Sequence, residues 1–205
     1  MKIDSLLFDL DGTLWNATFT TTRFFESRLR ALEYPIVIPQ PLVQSAMGLL
    51  VEEIAELYFK DFPADKRLEM MLSANEGKAA YLKEHGGILY PHVEETLAKL
   101  AQQYKLFLVS NCTEEYLDAF FGAHGLGKYF TDFENSGRTK MGKAHNIKLV
   151  VERNHLQHPV YVGDIEKDRQ ASVEAGVPFV YAAYGFGDVE QYDARVDSFE
   201  QLLTL

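Results

Sequence analysis

Residues 5–13 read SLLFDLDGT. An apolar run, Leu6-Leu7-Phe8, meets Asp9; Leu10 follows, then Asp11, Gly12 and Thr13. Asp and Gly both suit turns, so a carboxylate pair two residues apart is also what an ordinary strand terminus looks like. The distinction between a terminus and a site rests on what the other strands deliver to the same edge.

Further apolar runs read as buried strands: Ile3–Phe8 itself, Leu106–Val109, Val160–Val162 and Phe179–Ala182, with a weaker one near Phe133. Continuous rather than alternating apolar runs suit a parallel sheet covered on both faces. Helical stretches lie between them. HVEETLAKLAQQY (92–104) sets Val93, Leu97 and Leu100 on one face, EEYLDAFFGAHG (114–125) and DRQASVEAG (168–176) close on Gly, and AHNIKLVVERN (144–154) precedes the third clear strand. Alternation of strand and helix predicts an α/β fold with right-handed crossovers. From about Asn16 to Gly87 the alternation stops. The stretches TTTRFFESRLRALEY, PLVQSAMG, VEEIAELYFKDF and ADKRLEMMLSANEGKAAYLKEHGG all read as helix, and Gly86-Gly87 and Pro91 mark the return. The expected division is an α/β core of residues 1–15 and 88–205 with a helical insertion, 16–87.

Ligands of an open parallel sheet bind beyond the carboxyl ends of its strands. There the first strand delivers Asp9 and Asp11, the second Ser110 and Asn111, and PVYVGDIEKD (159–168) Gly163 and Asp164, with Asp168 four residues on. Lys143, in TKMGKAHNI, opens a helix between the last two. Each is ordinary alone: a Lys is mostly a solvated charge. Four acids, a hydroxyl and a Lys assigned to one sheet edge are not.

Composition narrows the function. A chain of 205 residues, 47% hydrophobic and 13% aromatic, fills a real core. A net charge of -10 argues against nucleic acid, which needs Lys/Arg-rich surface, and against a polybasic membrane anchor. No run approaches the ~18 apolar residues of a membrane span, and SLLF is too short and acid-flanked for a signal peptide. The single cysteine, Cys112, excludes an intrachain disulfide and suits a reducing, cytoplasmic setting. An acidic protein still binds a phosphate ester where a bound cation inverts the local field.

DLDGT, Ser110-Asn111, Lys143 and GDIEKD, in this order and after a helical insertion, resemble the four motifs of the haloacid dehalogenase superfamily. YVGDIEKDRQAS and GKAHNIKLVVERN are similar to its branch near phosphoglycolate phosphatases and phosphoglucomutases. The resemblance implies a Rossmann-like parallel sheet with an all-helical cap, and a magnesium-dependent phosphatase acting on a small phosphate monoester through an aspartyl-phosphate. It implies Asp9 as nucleophile and Asp11 as acid and then base, a role that suits a carboxyl with a raised pKa. Ser110 and Lys143, with backbone amides near Gly12 and Asn111, would hold the phosphoryl oxygens. Asp9, the Asp11 carbonyl and Asp164 would bind Mg2+, with Asp168 supporting directly or through water; all-oxygen ligands and a phosphate suit that ion. Thr13 would support the loop.

Rival readings meet specific obstacles. Residues 137–143, GRTKMGK, match a nucleotide phosphate loop, but Ala144 stands where Ser or Thr should bind magnesium, and no strong strand precedes it. Lys140 is one turn from Lys143. A cysteine phosphatase wants an Arg near Cys112, and CTEEYLDAF offers acids. His155 and His158 lack the i, i+4 spacing of a helical metal pair. Trp15 suits either the cleft or packing at the cap junction. Within the superfamily, Asp11 argues against dehalogenation. A phosphosugar mutase must grip a second phosphate; the turn around Gly48 offers no cation, leaving Arg23, Arg28 and Lys78. A silent binding module on the same fold would lack acids that are all present.

Overall fold

The structure is a computed structural model and describes residues 2–205. In chain order its elements are β1 (Ser5–Phe8), β2 (Trp15–Asn16), α1 (Thr18–Ala31), α2 (Gln40–Ser45), α3 (Val51–Tyr58), α4 (Ala64–Asn75), α5 (Lys78–His85), β3 (Ile88–Leu89), α6 (Val93–Leu100), β4 (Lys105–Ser110), α7 (Glu114–His124), β5 (Asp132–Asn135), α8 (Ser136–Thr139), α9 (Lys143–Arg153), β6 (Pro159–Gly163), α10 (Glu166–Ala175), β7 (Phe179–Ala182) and β8 (Ala194–Val196). Six strands form one sheet in the order β5-β4-β1-β6-β7-β8, every neighbouring pair parallel.

β1 is central, flanked by β4 and β6, with Phe8 opposite Leu108 and Val162. Its residues alternate between two cores, as side chains on a strand must. Leu6 and Phe8 join Leu106, Leu108, Val160 and Val162 on one face, whereas Leu7 joins Phe107, Val109 and Tyr161 on the other. Helices cover both faces, which is why the strand reads as an unbroken apolar run. Each such fully buried side chain contributes about 1.5–3 kcal/mol relative to exposure.

Between β2 and β3 the chain is helical, α1 to α5, with a third core built on Phe25, Leu29, Val43, Phe59 and Met71. β2 and β3 pair antiparallel, Trp15 opposite Leu89 and Asn16 opposite Ile88. The chain therefore leaves and re-enters the core through a two-residue ribbon, and Asn16, expected to start the insertion, is strand. Two further differences from the sequence reading appear. β1 begins at Ser5, not Ile3, and β8 forms an edge strand that no apolar run announced.

Candidate active site

The carboxyl ends of β1, β4 and β6 lie side by side, so their following residues converge. Asp9 continues the ladder by one step, its amide donating to Val162 O at 2.8 Å. That bond fixes where its carboxylate points. Lys143, the first residue of α9, is buried and donates from Nζ to Asp9 Oδ1 at 2.7 Å; the same ammonium donates to Asp168 Oδ1. Asp168 Oδ2 in turn accepts from the amides of Asp164 (3.0 Å) and Ile165 (3.2 Å). It thus ties down the turn that aims Asp164.

Asp164 Oδ2 accepts from the Phe186 amide at 2.7 Å, while Oδ1 is buried with no partner. One oxygen from each of Asp9, Asp164 and Asp168 lies within 4.8 Å of the others. Burial and mutual repulsion push Asp164 well above the usual carboxylate range. Burial raises Asp9 likewise, against the pull of Lys143. A divalent cation reverses that balance, and the orphaned Asp164 oxygen is the donor it would take first; the residues fit Mg2+. Two glycines make the space. A Cβ on Gly12, whose φ is +83°, would stand 2.0 Å from Asp164 Oδ2, and one on Gly185 would stand 2.2 Å from Asp164 Cβ.

Asp11 leaves the metal-like cluster for different company. Its Oδ1 accepts from Trp15 Nε1 at 2.9 Å and from the Tyr116 hydroxyl at 2.8 Å. With two donors on Oδ1, the proton of the neutral acid sits on Oδ2. Burial pushes the Asp11 carboxyl up to about 6, with Tyr116, the Lys78 charge and Trp15 opposing. The Trp15 ring is fully buried and meets Tyr116 and Phe120 edge-on at 5.7 and 5.1 Å. Trp15 is therefore both a packing residue at the cap junction and a hydrogen-bond donor to Asp11.

Ser110 ends β4 and is buried, and the Cys112 thiol follows two residues on. Burial pushes that thiol up to about 12, which leaves it inert as a nucleophile. Asn111 turns its side chain to the cap: Nδ2 donates to Gly48 O at 3.0 Å, and Oδ1 accepts from Ser136 Oγ at 2.8 Å. The Gly12 amide donates to Trp15 O at 2.9 Å, and Gly12 itself gives room to the Asp164 carboxylate. Thr13 Oγ1 is buried without a partner.

Lys140 is exposed and Lys143 is the lysine inside. The short strand β5, the weak one expected near Phe133, precedes Gly137, but residues 136–139 form a helical turn rather than a loop wrapped on phosphate. Of the cap cations, Arg28 pairs with Glu76 at 2.5 Å and Arg23 is exposed beside Glu26 at 3.7 Å. Lys78 alone of the three lines the cleft, its Nζ 5.4 Å from the centre of the Tyr116 ring. Burial pulls its ammonium down to about 8, opposed by Asp11.

Tyr116 and the Phe186 amide were not anticipated. The first sits in an aromatic-rich helix where nothing marks one ring as polar in role; the second is a backbone group, with only Gly185 and Gly187 beside it as a hint of close approach.

Comparison with known proteins places this geometry. A phosphoglycolate phosphatase from Shigella boydii serotype 4 (strain Sb227) is 28% identical over 230 residues, covering 98% of this chain and 91% of the relative. One from Salmonella typhimurium is 27% identical over 231 residues, covering 98% and 92%. The solved structure of a hydrolase, a haloacid dehalogenase-like family protein from Streptococcus pneumoniae, superposes with a TM-score of 0.84 at 21% identity, over 98% of this chain and 97% of that one. The model of the haloacid dehalogenase-like hydrolase family matches residues 6–182, and the chain belongs to that family.

Proposed function

We propose that the chain is a phosphatase that hydrolyses a small phosphate monoester in two steps at Asp9. The observation that carries this is the division of the two acids of DLDGT. Asp9 Oδ1 is held by Lys143 at 2.7 Å, whereas Asp11 has Oδ1 occupied by two donors and Oδ2 without a recorded bond. One carboxylate is neutralised for attack and the other is oriented for proton transfer.

In the first step an Asp9 oxygen forms a bond to phosphorus as the ester P–O bond breaks. Asp11 Oδ2 gives its proton to the departing alkoxide. In the second step water attacks the same phosphorus, Asp11 takes its proton, and phosphate leaves Asp9 free. Lys143 and Ser110 offset charge on the phosphoryl oxygens. Asp9, Asp164 and the Asp11 carbonyl would hold Mg2+, with Asp168 in support. When bound, the ion offsets the repulsion between a carboxylate and a phosphate dianion. Asp168 orients Lys143 and the Asp164 turn. Residues 16–87 serve as the cap over the core formed by 1–15 and 88–205; Asn111–Gly48 and the Lys167–Glu53 ion pair, 2.5 Å, join the two. Closure over the site excludes water from the first step.

The phosphosugar mutase reading loses support from Arg23 and Arg28, both engaged away from the cleft. The names of the curated relatives support the phosphatase. The test is turnover of p-nitrophenyl phosphate with Mg2+. It should stop with excess chelator and in Asp9→Asn, and undiminished turnover in either arm contradicts the reading.

A further inference from the structure

We infer that Ile165 and Lys167 are positioning residues that couple the metal site to the cap, so that Mg2+ at Asp164 and docking of the cap turn 47–50 favour each other. This rests on the Mg2+ site of the phosphatase reading above and says how that site governs the cap.

One short stretch of chain carries both halves. Residues 164–168 turn from β6 into α10, and Asp168 locks them as a unit. Its Oδ2 accepts from the amides of Asp164 at 3.0 Å and Ile165 at 3.2 Å, and its Oδ1 from Lys143. Asp164 faces the acid cluster with Oδ1 unpartnered. The next residue meets the cap. A Cβ on Gly48, whose φ is +76°, would stand 2.5 Å from Ile165 Cδ1, so the Ile165 side chain lies against bare Gly48 backbone. Two residues further on, Lys167 Nζ donates to Glu53 Oε1 at 2.5 Å, and Glu53 Oε2 accepts from the Leu50 amide at 2.8 Å. Ile165 directly, and Lys167 through Glu53, thus hold the same cap turn at Gly48 and at Leu50.

The docking is open to influence because it is slight. Met47 and Leu49 of the turn share a cleft of about 530 Å³ with Ile165, Lys167 and Phe186, and the Lys167–Glu53 pair is nearly half exposed. An exposed ion pair shifts an equilibrium by a factor of about five at most. Without an ion, Asp9, Asp164 and Asp168 repel one another, their oxygens within 4.8 Å. Asp168 is held by Lys143 and two amides, whereas Asp164 is held only at Oδ2, by the Phe186 amide at 2.7 Å. Relief therefore comes from a shift of Asp164. Because the turn is a unit, that shift carries Ile165 and Lys167 off their cap partners. With the repulsion offset by an ion, Asp164 stays in place and both contacts seat. Coupling between two binding events is reciprocal, so a docked cap turn tightens the metal site in the same measure.

Hydrogen exchange of the cap turn, followed by mass spectrometry in MgCl2 or in NaCl of equal ionic strength, reads the coupling on residues that hold no metal. In the wild type Mg2+ should slow exchange across residues 46–53 about fivefold or more, the usual scale of coupling between sites. Lys167 is exposed in the first turn of α10, where a Glu is well tolerated, so Lys167→Glu should fold. Its new carboxylate faces Glu53. The variant should lose the Mg2+ effect on the cap and bind Mg2+ about threefold more weakly by calorimetry, although added negative charge beside a cation site would by itself tighten binding. Lys167→Arg, which keeps the pair, should behave as the wild type. Gly48→Val blocks Ile165 from the cap side without changing any charge, and should weaken Mg2+ binding in the same direction. Cap exchange in the wild type that ignores Mg2+, or Mg2+ binding unchanged or tightened in either Lys167→Glu or Gly48→Val, overturns the inference and leaves the phosphatase reading standing. Wild-type protein that binds no Mg2+ by calorimetry would instead overturn the metal site of that reading, and the coupling with it.

Discussion

Asp9 and Asp11 are two residues apart and do different things because their neighbours differ. Lys143 and two further acids surround the first; a Trp, a Tyr and an apolar wall surround the second. The two donors on Asp11 Oδ1 give Tyr116 a testable positioning role. Tyr116→Phe removes one hydrogen bond, worth about 0.5–1.5 kcal/mol net, and should slow turnover of an alkyl phosphate roughly two- to tenfold. An aryl phosphate, whose leaving group needs no proton, should lose less in its first step. A purely structural Tyr116 would lower both alike, so the ratio of the two kcat/KM values is the readout. Gly12 is constrained in two ways, by its left-handed backbone and by the Asp164 carboxylate against it. Gly12→Ala should cost about 1–3 kcal/mol of stability from backbone strain alone, and displace Asp164. Urea unfolding and Mg2+ affinity, measured on one preparation, check both; native-like values would mean the loop tolerates a side chain.

At the scale of elements, α8, α9 and β5 are tied by a buried acid. Glu134 on β5 accepts from Arg138 Nε at 2.8 Å and from Arg153 Nη1 at 2.9 Å. These partners and the Asn135 amide pull its carboxyl below the usual 4.5, against burial. A carboxyl depressed in the folded state contributes stability above the unfolded pKa and loses it as pH falls through the folded one. Glu134→Gln should therefore cost about 1–3 kcal/mol near pH 7, and the gap to wild type should close as pH drops below about 4.5. A gap that is constant from pH 7 to pH 3.5 would show that the charge contributes nothing. The same elements show what a sequence can disclose. β1, β4, β6 and β7 were legible because strands buried on both faces are unbroken apolar runs. The strand-end acids were legible because a parallel sheet sends every carboxyl end to one edge. β8 was not, since Ala194-Arg195-Val196 is an edge strand with its Arg exposed. Nor were β2 and β3, because two residues cannot display a period. The cap helices were visible by turn residues and apolar spacing, but which cation they aim into the cleft depended on packing: Arg28 finds Glu76, and Lys78 finds only rings and Asp11.

For the molecule as a whole, the helical cap and the α/β core meet over one cluster of acids, and no helix among the described residues is long and apolar enough to cross a membrane. The crowded carboxylates make the metal-free protein self-repelling at its site. Mg2+ at 100 times its Kd should raise stability by about 2.7 kcal/mol by mass action. Asp164→Ala should abolish that increment and leave the metal-free protein as stable as wild type or more so. Thermal unfolding with and without Mg2+ reads both; an equal Mg2+ shift in the variant would place the ion elsewhere. The account turns on a phosphoryl group passing through Asp9 with Asp11 handling the proton. Rapid-quench labelling of Asp11→Asn with a 32P-labelled aryl phosphate tests that directly. The good leaving group should restore much of the first step while hydrolysis stays slow, by about 10²–10⁴-fold, so labelled protein should accumulate and peptide mapping should find the label on Asp9. Absence of labelled protein while turnover falls equally on alkyl and aryl esters, or a label on any other residue, would contradict it.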